Sequence, residues 1–427
     1  MSLTVDKPGS LLVAMRLLSK NMEKGWTVVT RKTKRAIFIL IFSEFLVCMG
    51  ISLVTPVMPF LKTELHLSAT DMGIMNALFA LAQFVASPLI GRLSDKIGRK
   101  PVLTVGILLY MVSEVLFALT NYLWVFDISR LIGGLSSAMV VPTAMALASD
   151  ITTKRQRAKV IGWLSSVFSG GLILGPGIGG ILAGISYKTP FWVSGALSLL
   201  SAIVLIALLP SDAENKRVVE EPEQAKTTAH PMSRAFWTLP IIILFTMILV
   251  SSFGLQGFES IYSIYVNEVF NFSLSNIALV LTLNGLISLF LQVALFDTMV
   301  SKWGERRVIR LCFFLAAICT IWITQAHTKL EVMVATLIIF SAFDLLRPAI
   351  TTLLTKASES DQGLINGLNM SLTSIGNIVG PIMSGMLLDW NTHVPYLVVA
   401  VFLIVSYLMA FLLKQPGKQQ STVNWLW

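Results

Sequence analysis

The chain has 427 residues, of which 55% are hydrophobic and only 13% are charged, against about 25% charged residues in soluble domains. With a mean hydropathy of +0.77, this composition excludes a soluble globular protein and indicates an integral membrane protein. The three cysteines are too few for a disulfide framework or a metal cluster, so we expect no metal and no cofactor.

Apolar windows of about 20 residues, the length that a helix needs to cross a bilayer, recur along nearly the whole chain. They predict an all-α integral membrane fold of twelve transmembrane helices. The predicted spans are roughly 36–59, 70–92, 101–121, 123–149, 158–184, 189–209, 236–266, 275–300, 308–326, 330–355, 362–388 and 393–413.

Lysine and arginine are distributed unevenly among the predicted loops. An even number of spans puts both termini on one side, and 27 of the 32 basic residues fall on that side. Because basic loops favour the cytoplasm, we predict a multi-pass protein of the cell membrane with cytoplasmic tails at 1–35 and 415–427. The net charge of +9 then reflects orientation in the membrane and not nucleic-acid binding.

Charged residues also lie within the predicted spans of the first half. Glu44 in the first span and Glu114 in the third are costly in lipid, so they are expected to face the interior of a bundle. Asp127, near the start of the fourth span, can anchor the helix at the interface. Arg130 follows it by three residues, and it either pairs with Asp127 along one helix face or lines a cavity.

A short basic loop, GRLSDKIGRK at 91–100, follows the second span. Asp95 can cap a helix terminus or pair with a base, and Gly98 permits a tight reversal of the chain. An orientation signal alone would need the basic residues but not Asp95 or the glycines. We therefore predict that Gly91, Asp95, Gly98 and Arg99 take part in a conformational change.

The fifth span contains SGGLILGPGIGGILAG at 169–184, in which seven of sixteen residues are glycine. In water such a helix would be unstable, because each glycine costs about 1 kcal/mol and an interior proline about 3 kcal/mol. In lipid the helix is retained, and bare glycine faces let neighbouring helices approach closely. We predict a joint between two moving halves, bent at Pro176 and built on Gly175, Gly179 and Gly180. A static packing seam is the alternative.

Landmarks in the first half recur in the second at a nearly constant offset, which indicates a duplication. The polar segment 211–235 then links two six-helix bundles, 36–210 and 236–414, as in transporters built from parallel repeats. The matched landmarks are Gly98 and Gly304, Pro142 and Pro348, each 206 residues apart, and Gly175-Pro176 and Gly380-Pro381, 205 apart.

Two acids in the second half are candidates for carrying protons. Glu259 lies in the aromatic run FGLQGFESIYSIY, with no base nearby in the sequence. Asp344 lies at the centre of the tenth span, where Arg347 shares its helix face and Pro348 frees the Asp344 carbonyl. Either both acids take part in proton coupling, or Asp344 and Arg347 form a fixed ion pair and Glu259 is the only titrating acid.

Together these motifs resemble signatures of the major facilitator superfamily. GRLSDKIGRK resembles the signature between helices 2 and 3, RLIGG from Arg130 that of helix 4, and SGGLILGPGIGG the helix 5 signature associated with exporters. With SFGLQGFES and FDLLRPAIT, residues 36–413 are similar to bacterial multidrug/proton antiporters of the NorA/Bmr type.

The resemblance implies a monomer with alternating access that exports amphipathic drugs, such as fluoroquinolones and cationic dyes, in exchange for protons. It makes Glu259 and Asp344 the protonatable acids and Arg347 the adjoining base. The drug pocket that it implies contains Phe79, Gln83 and Asn369, and our reading of the residues adds Arg130 and Glu44.

The chain departs from the expected pattern at Glu44, where an uncharged residue is expected, and at Cys48 and Leu172, where phenylalanine is expected. The loss of two aromatic rings removes stacking surface and predicts a shifted drug spectrum. Uptake by proton symport, or lipid flipping, remains an alternative. An enzyme has no catalytic cluster in its favour, because all four histidines fall in loops.

Overall fold

The computed structural model describes residues 31–152, 154–210, 238–357 and 362–413. The predicted linker 211–235 and most of the two predicted tails lie outside these ranges. The long helices within them are α1 Arg31–Leu53, α2 Ala69–Ile97, α3 Arg99–Leu119, α4 Leu123–Asp150, α5 Lys154–Ala183, α6 Thr189–Leu208, α7 Leu239–Phe270, α8 Leu274–Phe290, α9 Glu305–Gln325, α10 Lys329–Ala357, α11 Gln362–Trp390 and α12 Val394–Met409.

The helices match the twelve predicted spans closely. Of the described helices, ten are long and apolar enough to cross a membrane, while α12 is apolar but has only 16 residues. The 29-residue α10 coincides with the predicted tenth span. The all-helical, multi-pass membrane fold is therefore confirmed.

Two of the spans are interrupted where a single helix was predicted. After α1 the chain passes through a 3₁₀ turn at Thr55–Val57, which contains Pro56, and continues as a short helix, Met58–Glu64. The span that begins with α8 continues through a π-helical turn, Leu291–Leu295, into the helix Phe296–Trp303. A proline at the start of a turn changes the direction of a helix, and so does the extra residue that a π-helical turn inserts into the backbone hydrogen-bond pattern. Neither change exposes the backbone to lipid.

The same helix pairs pack in both halves of the chain. In the first half α1 packs on α5 and α6, and α3 packs on α4 and α6; in the second half α7 packs on α11 and α12, and α9 packs on α10 and α12. The duplicated turns also match, since Gly98 and Gly304 both take positive φ, 103° and 79°. Glycine is favoured there because a side chain would be strained.

The two halves meet along two helix pairs, α2 with α11 and α5 with α8. We call the end with the 91–100 loop the basic end and the other the opposite end. Contacts between the halves lie from the middle of the helices towards the opposite end. A Cβ atom on Gly73 would lie 2.2 Å from the carbonyl oxygen of Pro381, and a Cβ atom on Gly385 would lie 2.4 Å from the carbonyl oxygen of Ala69. A Cβ on Gly91, nearer the basic end, meets no described atom within 4 Å. The molecule is closed at the opposite end and looser at the basic end.

Candidate functional site

Glu259 lies on the face of α7 that turns away from the aromatic core of the second half. Phe258 and Tyr262 are fully buried and meet the Phe340 ring edge to face, and Phe258 also contacts Tyr396. Glu259 is accessible, although protein surrounds it on most sides, and its oxygen accepts a 3.4 Å hydrogen bond from Gln256. The aromatic run in the sequence is therefore not the environment of this carboxyl group.

Asp344, on α10, is close enough to Glu259 for the two carboxylates to interact electrostatically. It is half-buried, and the Ser288 hydroxyl of α8 lies within hydrogen-bonding reach of it. That hydroxyl also accepts a 2.9 Å hydrogen bond from Gln292. Three helices of the second half thus bring two acids and a polar side chain to one place.

Arg347 does not form the fixed ion pair with Asp344 that one interpretation of the sequence required. Arg347 is an exposed residue, and the described part of the chain contains no acid that pairs with it. Sharing a helix face at a spacing of three residues permits contact but does not enforce it. The geometry therefore keeps Asp344 available alongside Glu259, and the role of Arg347 stays a prediction.

Three of the residues predicted to line the pocket are half-buried. Phe79 packs its ring and backbone against Gly133 and Gly134 of α4, and Gln83 donates a 2.9 Å hydrogen bond to the Ser137 hydroxyl. These contacts tie α2 to α4 within the first half. The side-chain oxygen of Asn369, on α11, has no hydrogen-bond partner and remains available to a ligand.

Arg130 belongs to a polar cluster inside the first half. Its guanidinium lies 4.5 Å from the centroid of the Phe117 ring, and it attracts the carboxylate of Glu114, which is 1% exposed. No contact with Asp127 accounts for its position; one oxygen of Asp127 and one terminal nitrogen of Arg130 lack hydrogen-bond partners. The structure therefore favours Arg130 as a member of an internal cluster, with Glu114 as a neighbour that sequence spacing alone did not reveal.

Glu44 is 4% exposed and lies within the first half on α1. One neighbour is the Cys48 thiol one turn later, 3.9 Å from the carboxylate oxygen. The helices α5 and α6 together cover α1. On the covered face, the Ser52 hydroxyl donates a 2.9 Å hydrogen bond to the carbonyl oxygen of Gly171 on α5. In this conformation Glu44 is less accessible than the other residues of the predicted pocket.

The glycines of α5 form two distinct faces. Gly171, Gly175 and Gly179, spaced by four residues, face α1 of the same half; a Cβ on Gly179 would lie 2.0 Å from the Leu53 carbonyl oxygen. Gly180 faces α8 of the other half, where a Cβ would lie 2.6 Å from Ala278. Both interpretations of the motif thus have support, the first face resembling a static seam and the second a joint between halves.

The basic loop is held by Arg99. Its guanidinium pairs with Asp95 at 2.6 Å and with Asp150, at the end of α4, at 3.0 Å, and it donates a 2.6 Å hydrogen bond to Ser94. Pairing of Asp95 with a base was predicted from the sequence. The contact with Asp150, which joins α3 to α4, was not predicted from the sequence.

At the opposite end, an acid of one half caps a helix of the other. The Asp389 carboxylate, at the end of α11, accepts hydrogen bonds from the backbone N–H groups of Ala69 at 2.8 Å and Thr70 at 2.7 Å, and from the Thr70 hydroxyl. Lys62 and Glu268 form an ion pair beside it, also between halves. Sequence analysis missed both contacts, although an acid at the end of an apolar span was a signal for Asp389.

The site shows no arrangement for a metal. Among the described residues, no group of three or more His, Cys, Asp or Glu side chains lies close enough to hold an ion. The three cysteines are buried and unpaired. The chemistry that these residues offer is proton exchange at carboxyl groups and contact with apolar or aromatic ligand surface.

Two six-helix bundles that touch mainly at one end, with carboxyl groups near the middle of the helices, define a membrane transport protein. The chain belongs to the Major Facilitator Superfamily, because the sequence model of that family matches residues 40–296 and 244–424. The two matches overlap and together extend from residue 40 to residue 424.

Two bacterial resistance proteins align with nearly the full length of the chain. It is 37% identical over 384 residues to multidrug resistance protein 1 of Bacillus subtilis, covering 90% of this chain and 97% of that one. It is 34% identical over 379 residues to the quinolone resistance protein NorA of Staphylococcus aureus, covering 86% and 94%.

Solved structures with low sequence identity share the fold. A bacterial homologue of the lysosomal transporter Spinster, in an inward-facing and occupied conformation, aligns with a TM-score of 0.72 at 16% identity, covering 90% of this chain and 97% of that one. The nucleoside transporter NupG aligns with a TM-score of 0.66 at 14% identity, covering 90% and 98%.

Proposed function

We propose that the protein is a proton-coupled multidrug efflux antiporter of the bacterial plasma membrane, with its basic end and both termini in the cytoplasm. The observation that carries the proposal is the pair Glu259 and Asp344, which interact within the second half and have no basic partner among the residues that the structure describes. Ionisable groups inside a membrane bundle mark ion and substrate pathways. The names of the relatives, multidrug and quinolone resistance proteins, supply the substrate class.

The cycle follows from the way the halves are packed. In this conformation the opposite end is closed and the basic end is looser, so a drug enters from the cytoplasm or the inner leaflet. The bundles 36–210 and 236–414 then rock about the α2/α11 and α5/α8 contacts and open the opposite end. Protons taken up there by Glu259 and Asp344 are released at the basic end after the return.

The coupling requires the two acids to act together. Carboxyl groups that feel each other's charge bind and release protons as a pair. A cationic drug near the two carboxyl groups favours their ionised form, so the drug and the protons compete for the same site. This competition links drug binding to proton release. Phe79, Gln83, Arg130, Asn369 and Glu44 are the proposed drug contacts.

The proton gradient supplies enough free energy for drug export. One proton that crosses a potential of 100 mV releases about 2.3 kcal/mol. Since every 1.4 kcal/mol is a factor of ten in concentration, one proton per drug molecule sustains a gradient of roughly 50-fold for a neutral drug.

The test is dye efflux from cells that lack other pumps, with proton flux followed in inverted vesicles. Glu259→Gln keeps the size of the side chain but cannot carry a proton, so we expect proton-coupled efflux to fall to the level of cells without the pump. Glu268→Gln, on the same helix but in the ion pair at the opposite end, is the matched control and should retain efflux.

Two results would contradict the proposal. Undiminished efflux by the Glu259→Gln variant would remove this acid from the mechanism. Proton and dye movement in the same direction across the vesicle membrane would establish uptake by symport instead. Protein amounts in the membrane must be equal for each variant, because a folding defect would also lower efflux.

A further inference from the structure

A surface groove of about 330 Å³ lies between α9 and α12, the helix pair on the flank of the second half. Its apolar part consists of Leu311, Phe314, Tyr407 and Phe411, and its polar part of two arginines at the basic end, Arg307 and Arg310. The three rings pack together, with centroids 5.5 Å apart for Phe314 and Tyr407 and 5.1 Å apart for Tyr407 and Phe411.

The arginines of the groove have no acidic partner among the described residues. The nearest acid in the sequence, Glu305, is engaged by Lys356 in an ion pair. Arg310 lies 5.0 Å from the centroid of the Phe411 ring and donates a 3.4 Å hydrogen bond to the Arg306 carbonyl oxygen. Arg306 and Arg310 repel each other electrostatically, so the site is prepared for an anion that the described residues do not supply.

The order of residues along the groove follows the layers of a membrane. Arg307 is in the first turn of α9, whereas Phe314 lies two turns further towards the middle, about 10 Å along the axis. Phe411 lies just beyond the end of α12, with Tyr407 one turn deeper. The exposed fractions of Phe314 and Phe411, 42% and 54%, show that these rings face out of the bundle.

We propose that this groove binds an anionic phospholipid, with the phosphate against Arg307 and Arg310 and the upper part of an acyl chain along Phe314, Tyr407 and Phe411. Guanidinium groups bind phosphate through paired hydrogen bonds, and basic pockets between membrane helices hold anionic head groups. A free phosphate ion would use the arginines but not the aromatic part of the groove. The proposal does not depend on what the protein transports.

The experiment measures lipid binding to the purified, full-length protein in detergent by native mass spectrometry. Dioleoylphosphatidylglycerol is the anionic probe, and dioleoylphosphatidylcholine, with the same chains, is the zwitterionic one. We expect the wild type to prefer the anionic lipid and the Arg307→Gln/Arg310→Gln variant to bind it about 30-fold more weakly, from about 1 kcal/mol for each basic residue.

The control variant removes the same number of positive charges at the basic end but outside the groove. Arg92→Gln/Lys302→Gln changes two exposed residues and should retain the preference for the anionic lipid. A second variant, Phe314→Ser, tests the apolar part without removing the Phe411 ring beside Arg310, and it should weaken binding of the phosphatidylglycerol.

Three outcomes would overturn the proposal. The first is equal binding of the two lipids by the wild type, and the second is equal loss of binding in the groove variant and the control. The third is displacement of the lipid by millimolar inorganic phosphate, which would assign the site to a free anion. If the double variant does not fold, Arg307→Gln alone, at an exposed position, provides the same comparison with an expected change of about fivefold.

Discussion

Removal of the Asp389 carboxylate should shift the transporter towards a state that is open at the opposite end. This carboxylate accepts hydrogen bonds from the backbone N–H groups of Ala69 and Thr70, the first two residues of α2. The backbone N–H of the third residue, Asp71, donates to the Ser68 hydroxyl oxygen instead. When the halves separate at this end, water takes over both N–H groups. Loss of the carboxylate therefore destabilises only the closed arrangement.

The size of the shift follows from helix capping. Loss of a capping side chain costs about 1 kcal/mol, and a negative charge at an exposed helix N-terminus contributes about 0.3–1 kcal/mol. Asp389 is exposed, so we use the lower part of the second range and expect about 1.5 kcal/mol in total for Asp389→Ala. This is about a tenfold change in the ratio of open to closed molecules. Asp389→Asn can still accept a hydrogen bond and should change the ratio only about two- to fivefold.

The assay is the distance between two spin labels at the opposite end, measured by electron–electron double resonance in nanodiscs. Tyr122 in the first half and Leu330 in the second are suitable labelling positions, since they are 67% and 70% exposed. The native cysteines are buried and can be replaced by serine. In Asp389→Ala the population with the longer distance should grow about tenfold relative to the closed one.

A matched substitution separates the loss of the contact from the loss of a charge. Asp297, near the basic end of the same half, is exposed and lies in the helix Phe296–Trp303, away from the end where Asp389 caps α2. Asp297→Ala should leave the distance distribution unchanged. The reasoning fails if Asp389→Ala changes the ratio by less than about twofold, or if Asp297→Ala changes it equally.

Two further predictions concern the stability of the first half, measured by thermal unfolding of the purified protein. Gly179→Ala should lower the free energy of unfolding by about 1–3 kcal/mol through overpacking against the backbone of Leu53. Gly162→Ala, where a Cβ meets no described atom within 4 Å, should leave that free energy unchanged. Equal effects of the two substitutions would contradict the close-packed seam. Arg99→Gln should cost about 1 kcal/mol, because it breaks ion pairs with two acids that are partly exposed to solvent. Lys96→Gln at an exposed position should be neutral, and an unchanged Arg99→Gln variant would refute the role of this contact.

The sequence predicted the helices well because their lengths and apolar composition are local properties. It also predicted Gly98, whose positive φ of 103° lies where the chain reverses. The helix boundaries differ by several residues, as at α1, which begins at Arg31 instead of residue 36. A basic first turn can extend beyond the lipid, so hydropathy marks the membrane boundary and not the end of the helix.

The site was predicted less completely, because its contacts depend on tertiary packing. The aromatic neighbours of Glu259 along the chain point into the core, and its electrostatic partner Asp344 is 85 residues away. The contact of Asp389 with α2 joins residues separated by 319 and 320 positions. Residue spacing also suggested pairs, Asp127 with Arg130 and Asp344 with Arg347, that the side chains do not form.

The two glycine faces of α5 have different consequences for how this protein can change under selection. Substitutions at Gly171, Gly175 or Gly179 should be lost through failed assembly, whatever drug is present. Substitutions at Gly180 alter the surface that packs on α8 of the other half, so we expect them to change turnover while the first bundle stays intact. Resistance variants with altered speed should therefore map to one side of a single helix.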